Sequence, residues 1–345
     1  MRVRFGVGAV SELRDELAAL GFHRSLVLST QAEAPLAARI AGGLGDGAVG
    51  VSGTAVMHVP QKCVDATIEM LSRRSPDSLV PVGGGSAVGL AKAVALETGL
   101  PIVAVPTTYA GSEMTPIWGR TSAGVKQTGR DLRVLPRSVI YDPDLTLTLP
   151  ALVSGVSGIN AIAHAVEALY APDSSPIISS MAVVGTRSLA DALPRIVSNP
   201  LDLGARTQAF RGAWLCGACL GNVTMSLHHK LCHALGGAFD LPHAEMHAVV
   251  LPYVVAFNAS AAPAAMLQLA DALGEPEPAT ALWKLGRSVG APASLGELGL
   301  TETDLDHAAA LAVASPYANP VPVTERAVRK LLGAALQGTA PACVL

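Results

Sequence analysis

Up to about residue 150 short β-branched runs alternate with amphipathic stretches, and beyond Pro150 the β-branched runs stop. SLVLST (25–30), DSLVPVGGGS (77–86), PIVAVPTT (101–108) and SVIYDP (138–143) read as strands, with helical patterns between them such as VSELRDELAALG (10–21) and VDATIEMLSRR (64–74). Strands alternating with helices argue for a parallel sheet covered on both faces. The later segments, SGINAIAHAVEALY and MSLHHKLCHALGG among them, are Ala- and Leu-rich and are punctuated by Pro and Gly, the grammar of packed helices. The expected architecture is an α/β nucleotide-binding domain over residues 1–150, followed by an all-helical domain over 151–345. A chain of 345 residues suits two cores.

A formal charge of −3 without a basic run leaves no electrostatic footprint for nucleic acid. No uninterrupted apolar run approaches the ~20 residues that cross a bilayer. The N-terminus MRVRFGVGAV lacks the apolar core of a secretory signal. A cytoplasmic protein without membrane or nucleic-acid partners is expected. The five cysteines form no paired framework, so reduced thiols are expected. Cys216 and Cys219 make a lone CxxC, which reads as small residues on a packed helix face.

Residues 80–96, VPVGGGSAVGLAKAVAL, pass from a strand through three glycines into a helix, with Ser86 in the N-cap place. Glycines let the backbone approach an anion, and the free N–H groups and dipole of a helix start favour negative charge. The loop is therefore either a pyrophosphate cradle at Gly83, Gly84, Gly85 and Ser86 or a tight unliganded turn. The next strand end carries Thr107, Thr108 and Ser112, and ligands of open α/β sheets gather at such ends. Two adjacent strand ends of this kind describe a dinucleotide crevice, with Tyr109 either stacking there or packed.

Five of the nine histidines lie in HHKLCHALGGAFDLPHAEMH (228–247). His229 and His233 share a helix face, Gly236 and Gly237 are expected to end that helix, and His243 follows Pro242 near the start of the next. His228 and His247 flank the cluster. Asn160 and His164, four apart in GINAIAHAVEAL, share a face of another helix. Such density favours a polar site over core filling.

GGGSAVGLAK (83–92), PTTYAGSE (106–113) and the histidine segments together resemble the iron-containing alcohol dehydrogenase family across nearly the whole chain. The resemblance implies a Rossmann-like N-terminal domain with a helical C-terminal one, the dehydroquinate-synthase-like fold. It implies pyrophosphate at Gly84, Gly85 and Ser86, and a nucleotide lined by Thr107, Thr108 and Ser112. Many members carry an Asp after strand two, against the ribose; here Ser29, Thr30 and Gln31 are neutral, so use of both NADH and NADPH is expected. The family's metal is held by an Asp and three His. His164, His229 and His243 match, but Asn160 replaces the Asp, and an amide is a poor ligand for Zn²⁺ or Fe²⁺. The expectation is that no metal is required. His233 falls on a family histidine that contacts substrate or relays a proton.

PTTYAGSEMTPIWGRT, the pattern over 124–143, NAIAHAVEALYAP and the histidine segment resemble one branch of that family, which reduces maleylacetate to 3-oxoadipate in aromatic degradation. The branch implies hydride addition to a C=C conjugated to a ketone, with the enolate held by histidine and cationic donors. His233 and His243 are then the proton donors, and His164 and His229 position the substrate. The dicarboxylate needs cations. Lys126, sixteen residues before Asp142 like a family lysine near the nicotinamide, and Arg120 are assigned to it. Arg130 and Arg133 read as a solvated hairpin, and Asp142 and Asp144 as turn caps. The N-terminal VRFGVGAV resembles a family segment that pairs across a homodimer. The alternatives are a metal-dependent alcohol or polyol dehydrogenase, a lyase of dehydroquinate-synthase type and a non-catalytic nucleotide-binding protein.

Overall fold

The computed structural model describes residues 1–122 and 125–341, so Cys343 lies outside the described residues. The chain forms two compact units, Met1–Leu149 and Pro150–Leu345.

The first unit runs β1 (Arg2–Phe5), α1 (Leu13–Ala19), β2 (Ser25–Leu28), α2 (Ala34–Leu44), β3 (Ala48–Ser52), α3 (Gln61–Arg74), β4 (Ser78–Gly83), α4 (Gly85–Thr98), β5 (Val103–Pro106), β6 (Ile117–Ser122), β7 (Val125–Arg130) and β8 (Ser138–Tyr141). Six strands form a parallel sheet in the order β1-β8-β5-β4-β2-β3, while β6 and β7 make a separate antiparallel hairpin. Every residue of β2, β4, β5 and β8 is buried, as continuous apolar strands in a doubly covered sheet must be.

The helical pattern at 10–21 is split: a 3₁₀ turn over Ala9–Glu12 precedes α1. The buried Asp142 accepts from the N–H groups of Gly8 (3.0 Å) and Val10 (3.1 Å), which tightens this first turn. It also accepts from Asp144 N–H, the turn cap expected of it. Lys92 of α4 is fully buried, and its Nζ donates to Ser112 O (2.5 Å), Thr115 O (2.7 Å), Thr115 Oγ1 (2.9 Å) and Ile117 O (2.9 Å). It pins the PTTYAGSE loop to the helix that follows the glycines.

The second unit contains α5 (Ala151–Tyr170), α6 (Pro176–Ser198), α7 (Leu203–Asn222), α8 (Leu227–Phe239), α9 (His243–Asn258), α10 (Pro263–Leu273), α11 (Pro278–Ser288), α12 (Leu305–Val313) and α13 (Glu325–Gln337), with no strand among the described residues. The 20-residue α5 is long and apolar enough by composition to cross a membrane, yet 83% of its apolar window is buried within the fold. It is a core helix. Cys216 and Cys219 are fully buried on α7, and a Cβ on Gly185 of α6 would stand 2.8 Å from Cys216 Sγ. The CxxC is thus helix packing, and burial pushes both thiols up. The glycines 236 and 237 do not end α8: the helix continues to Phe239 and stops at Asp240, whose φ of 51° is left-handed. A short polar side chain tolerates that conformation, so the αL stop fell three residues beyond Gly237.

Candidate active site

In the first unit the chain leaves β2 for β3 on one side and then crosses to β4 on the other, so the strand order reverses between β2 and β4. Open α/β sheets bind ligands at the carboxyl ends of strands flanking such a switch. Thr30 and Glu33 follow β2, the three glycines follow β4, and Thr107 and Thr108 follow β5. Gly83 has φ 143°, and a Cβ there would run into the Glu33 carboxylate and lie 3.0 Å from Ala87 Cβ. A Cβ on Gly84 would stand 2.7 Å from Thr108 Cγ2. The backbone is bared where only glycine fits. Gly84, not Ser86, occupies the N-cap place of α4, and no side chain caps the helix start. Ser86 is the second helical residue, so its expected capping role passes to a residue without a hydroxyl, leaving the first-turn N–H groups to an anion. The cradle fits the pyrophosphate of a dinucleotide.

Not every expected neighbour belongs to it. Tyr109 is fully buried, which leaves no ring face for a nucleotide; it is a packing residue. Ser112 is held by Lys92 through its carbonyl. Arg120 is committed on the β6–β7 hairpin: it pairs with Glu97 at 2.6 Å and donates to Gln127 at 3.2 Å. The assignment of Arg120 to a substrate carboxylate is therefore corrected, because its charge already has a partner. Lys126 pairs in register with Thr121 on the same hairpin and is exposed. Thr30 is not in neutral surroundings. Its Oγ1 donates to Glu33 Oε2 at 2.9 Å, and Thr107 Oγ1 donates to Glu33 Oε1 at 2.7 Å. A carboxylate stands at the end of strand two after all, displaced from the place where the sequence was neutral.

In the second unit Asn160, His164 and Glu167 lie along one buried face of α5, spaced four and three residues apart as a helix requires. Glu167 is fully buried and accepts from Ser226 N–H (2.8 Å) and His228 N–H (2.6 Å), the first turn of α8, where the helix dipole favours an anion. Its Oε2 also lies 2.8 Å from His229 Nδ1. An ionised carboxylate only accepts, so Nδ1 carries the hydrogen and Nε2 presents its other valence away from Glu167.

Around this anchor the rings of His164 and His229 are 5.2 Å apart, those of His229 and His233 6.4 Å, and those of His243 and His247 4.3 Å. Asn160 Oδ1, His164 Nδ1, His229 Nε2 and His247 Nε2 are buried without a hydrogen-bond partner in the protein, polar atoms of the kind that a ligand or metal meets. Burial, reinforced by neighbouring imidazoles, pulls His164, His228 and His247 well below the usual histidine range, so they are neutral at pH 7. His233 and His243 are exposed.

Sequence reasoning missed Glu167, Glu33 and the depth of His228 and His247. The first two carry no motif, though Glu167 sits three residues after His164 on the same face. His228 Nε2 lies 2.9 Å from His247 Nδ1, and these two histidines and Cys232 bring donor atoms within 4.8 Å of one another. Burial holds the Cys232 thiol well above its usual range and so protonated.

The face of Asn160, His164, His229 and His243 offers three imidazoles, a donor set that can hold zinc, with an amide in the place of the family's carboxylate, while Glu167, the carboxylate beside it, is spent on three N–H donors.

The iron-containing alcohol dehydrogenase model matches residues 1–143, and the C-terminal model of the same family matches 155–336. The maleylacetate reductase of Sphingobium indicum is 52% identical over 340 residues, covering 99% of this chain and 96% of its own; that of Burkholderia cepacia is 53% identical, with 99% and 97% covered. The solved maleylacetate reductase of Agrobacterium tumefaciens superposes with a TM-score of 0.96 at 48% identity, covering 99% of this chain and 97% of its own. A 1,3-propanediol oxidoreductase superposes at 0.93 with 26% identity, covering 97% and 98%. With the α/β and helical units described above, these matches place the chain in the iron-containing alcohol dehydrogenase family.

Proposed function

We propose that the chain reduces the C2=C3 double bond of maleylacetate to 3-oxoadipate with NADH or NADPH. The observation that carries this reading is identity of about half over essentially the whole chain with enzymes named for that reaction. The first unit holds the cofactor, with Gly83 to Gly85 and the open start of α4 taking the pyrophosphate and Thr107 and Thr108 the nucleotide. When bound, the reduced nicotinamide supplies the hydride that adds to C2, the carbon β to the C4 ketone.

The remaining work falls to the second unit. Addition at C2 leaves an enolate across C3, C4 and the ketone oxygen. Asn160, through its amide N–H, and His164 meet the substrate's oxygens, and His229, its ring fixed by Glu167, helps to orient the substrate. His233 or His243, both exposed to solvent, protonates C3. Lys126 attracts the substrate's carboxylates. An Asp at position 160 would repel the same dianion, so the amide suits this substrate better. On this reading no metal is needed. Oxidation of NADH should follow addition of maleylacetate and persist in EDTA with well under one metal ion per chain; EDTA-sensitive turnover with stoichiometric Zn or Fe sinks the metal-free assignment.

Family membership favours a second reading, a metal-dependent alcohol or polyol dehydrogenase. Asn160→Asp separates the two: under the first reading it raises KM for maleylacetate about tenfold, and under the second it increases metal uptake and the oxidation of simple diols. We also propose a homodimer paired through β1, which lies at an edge of the sheet with one ladder side open. Sedimentation of the full chain at twice its mass supports it, and a monomer rejects it.

A further inference from the structure

We propose that the Glu33 carboxylate stands in for a phosphate inside the glycine cradle, so that a dinucleotide binds by displacing it and NADH and NADPH are weakened alike. The inference rests on the reading of that loop as a pyrophosphate cradle. Glu33 occupies the N-cap place of α2, yet its side chain caps nothing there. It turns away from its own helix: Oε2 accepts from Thr30 Oγ1 at 2.9 Å and Oε1 from Thr107 Oγ1 at 2.7 Å. Its δ-carbon would stand 2.9 Å from a Cβ on Gly83, so the carboxylate fills the space that the missing side chain leaves open. Thr107 N–H in turn donates to Gly83 O at 3.3 Å, which joins the two strand ends that frame this space. A negative group thus lies on the bared glycine backbone and engages Thr107, a donor that the cofactor reading assigns to the nucleotide.

A carboxylate and a phosphate present the same surface to such a place, negative oxygens that accept from hydroxyls and lie against glycine. They cannot share it, because like charges in contact repel. The carboxylate is the one that can leave. It is half-buried, and water or a phosphate can replace the two hydroxyls that hold it. Its backbone need not move: Glu33 N–H donates to Thr30 O at 3.2 Å and Ala37 N–H to Glu33 O at 3.0 Å, so the side chain swings from a fixed turn. The start of α2 offers it another resting place, since no side chain caps that end and a helix start favours an anion. Turnover requires reduced cofactor to enter and oxidised cofactor to leave. A carboxylate that refills the cradle weakens the hold on both and speeds release.

The test is calorimetric binding of adenosine, ADP, NADH and NADPH to the full chain without substrate, for the natural protein, Glu33→Gln and Glu33→Ala. In both variants ADP, NADH and NADPH should tighten by about tenfold at low salt and by similar factors, a gain that shrinks as salt screens the charge. Adenosine, which carries no phosphate, should change by less than about twofold. An ADP affinity that is unchanged or lower in either variant overturns the proposal, and so does a gain confined to NADPH, which puts the charge at the ribose; both results leave the cradle standing. If the natural protein binds ADP no more tightly than adenosine, the cradle reading falls and takes this proposal with it. A crystal structure of the natural protein with ADP decides the matter even if neither variant folds. Glu33 should then point away from Gly83, and a carboxylate still lying on Gly83 beside the bound pyrophosphate overturns the proposal.

Discussion

Each unit organises its polar centre around one carboxylate, and the two are held in opposite ways. Glu167 is sealed from solvent and bound by three nitrogen donors, two of them backbone N–H groups at a helix start. Glu33 is half-buried and held by two threonine hydroxyls at strand ends. The donors around Glu167 have no alternative partner in the dry interior, so that carboxylate is part of the fold. Glu33 and its hydroxyls can turn to water or to a ligand, so the arrangement is free to respond.

The sharpest way to break this contrast is to remove the buried member. Glu167→Ala leaves Ser226 N–H, His228 N–H and His229 Nδ1–H buried and unmet, and should cost about 3–5 kcal/mol, the usual penalty for stripping one partner from a buried charged network. Urea unfolding measures it. A loss under about 1 kcal/mol would mean that Glu167 is not the anchor of α8.

Within the same unit, His233→Ala and His243→Ala should leave unfolding midpoints nearly unchanged, because both side chains are exposed. The true proton donor should lose kcat by about 100-fold, or ~2.7 kcal/mol of barrier. Full activity in both variants would move proton donation elsewhere.

The difference between the carboxylates also explains what could be read from the sequence. The parallel sheet, the helical half, the glycine cradle and the face of Asn160, His164 and His229 were legible, because continuous apolar strands, a Gly-rich turn and four-residue spacing each leave a local pattern. Glu33 and Glu167 were not, since Glu167 works through residues 59 to 62 positions away and Glu33 partly through Thr107, 74 positions away, which nothing in the chain near Glu33 announces. Arg120 and Tyr109 failed for the same reason: Glu97 lies 23 residues off, and burial is a property of the whole sheet. The end of α8 failed locally, since two glycines were tolerated inside the helix and Asp240 took the left-handed stop.

Acid should discriminate the two units next. His164, His228 and His247 have folded-state pKa values below the ordinary 6.5. Below pH 6.5 the unfolded chain therefore binds more protons than the folded one, and stability falls as pH falls. It is fully present above that value, and each histidine contributes a slope of up to about 1.4 kcal/mol per pH unit beneath it. Unfolding followed from pH 7.5 to 5 should show a steep loss confined to signals from the helical unit. A flat profile would mean that these rings accept protons while folded.

The smallest effect is expected at the cradle. Thr107→Val keeps the shape of the side chain and removes one donor from Glu33, which still has Thr30 and access to water. The cost to stability should be about 1 kcal/mol or less, the net worth of one hydrogen bond to a partly solvated acceptor. If Thr107→Val instead destabilises the chain as much as Glu167→Ala, Glu33 is a structural anchor of the same kind, and the cradle holds its carboxylate for the fold and not for the ligand.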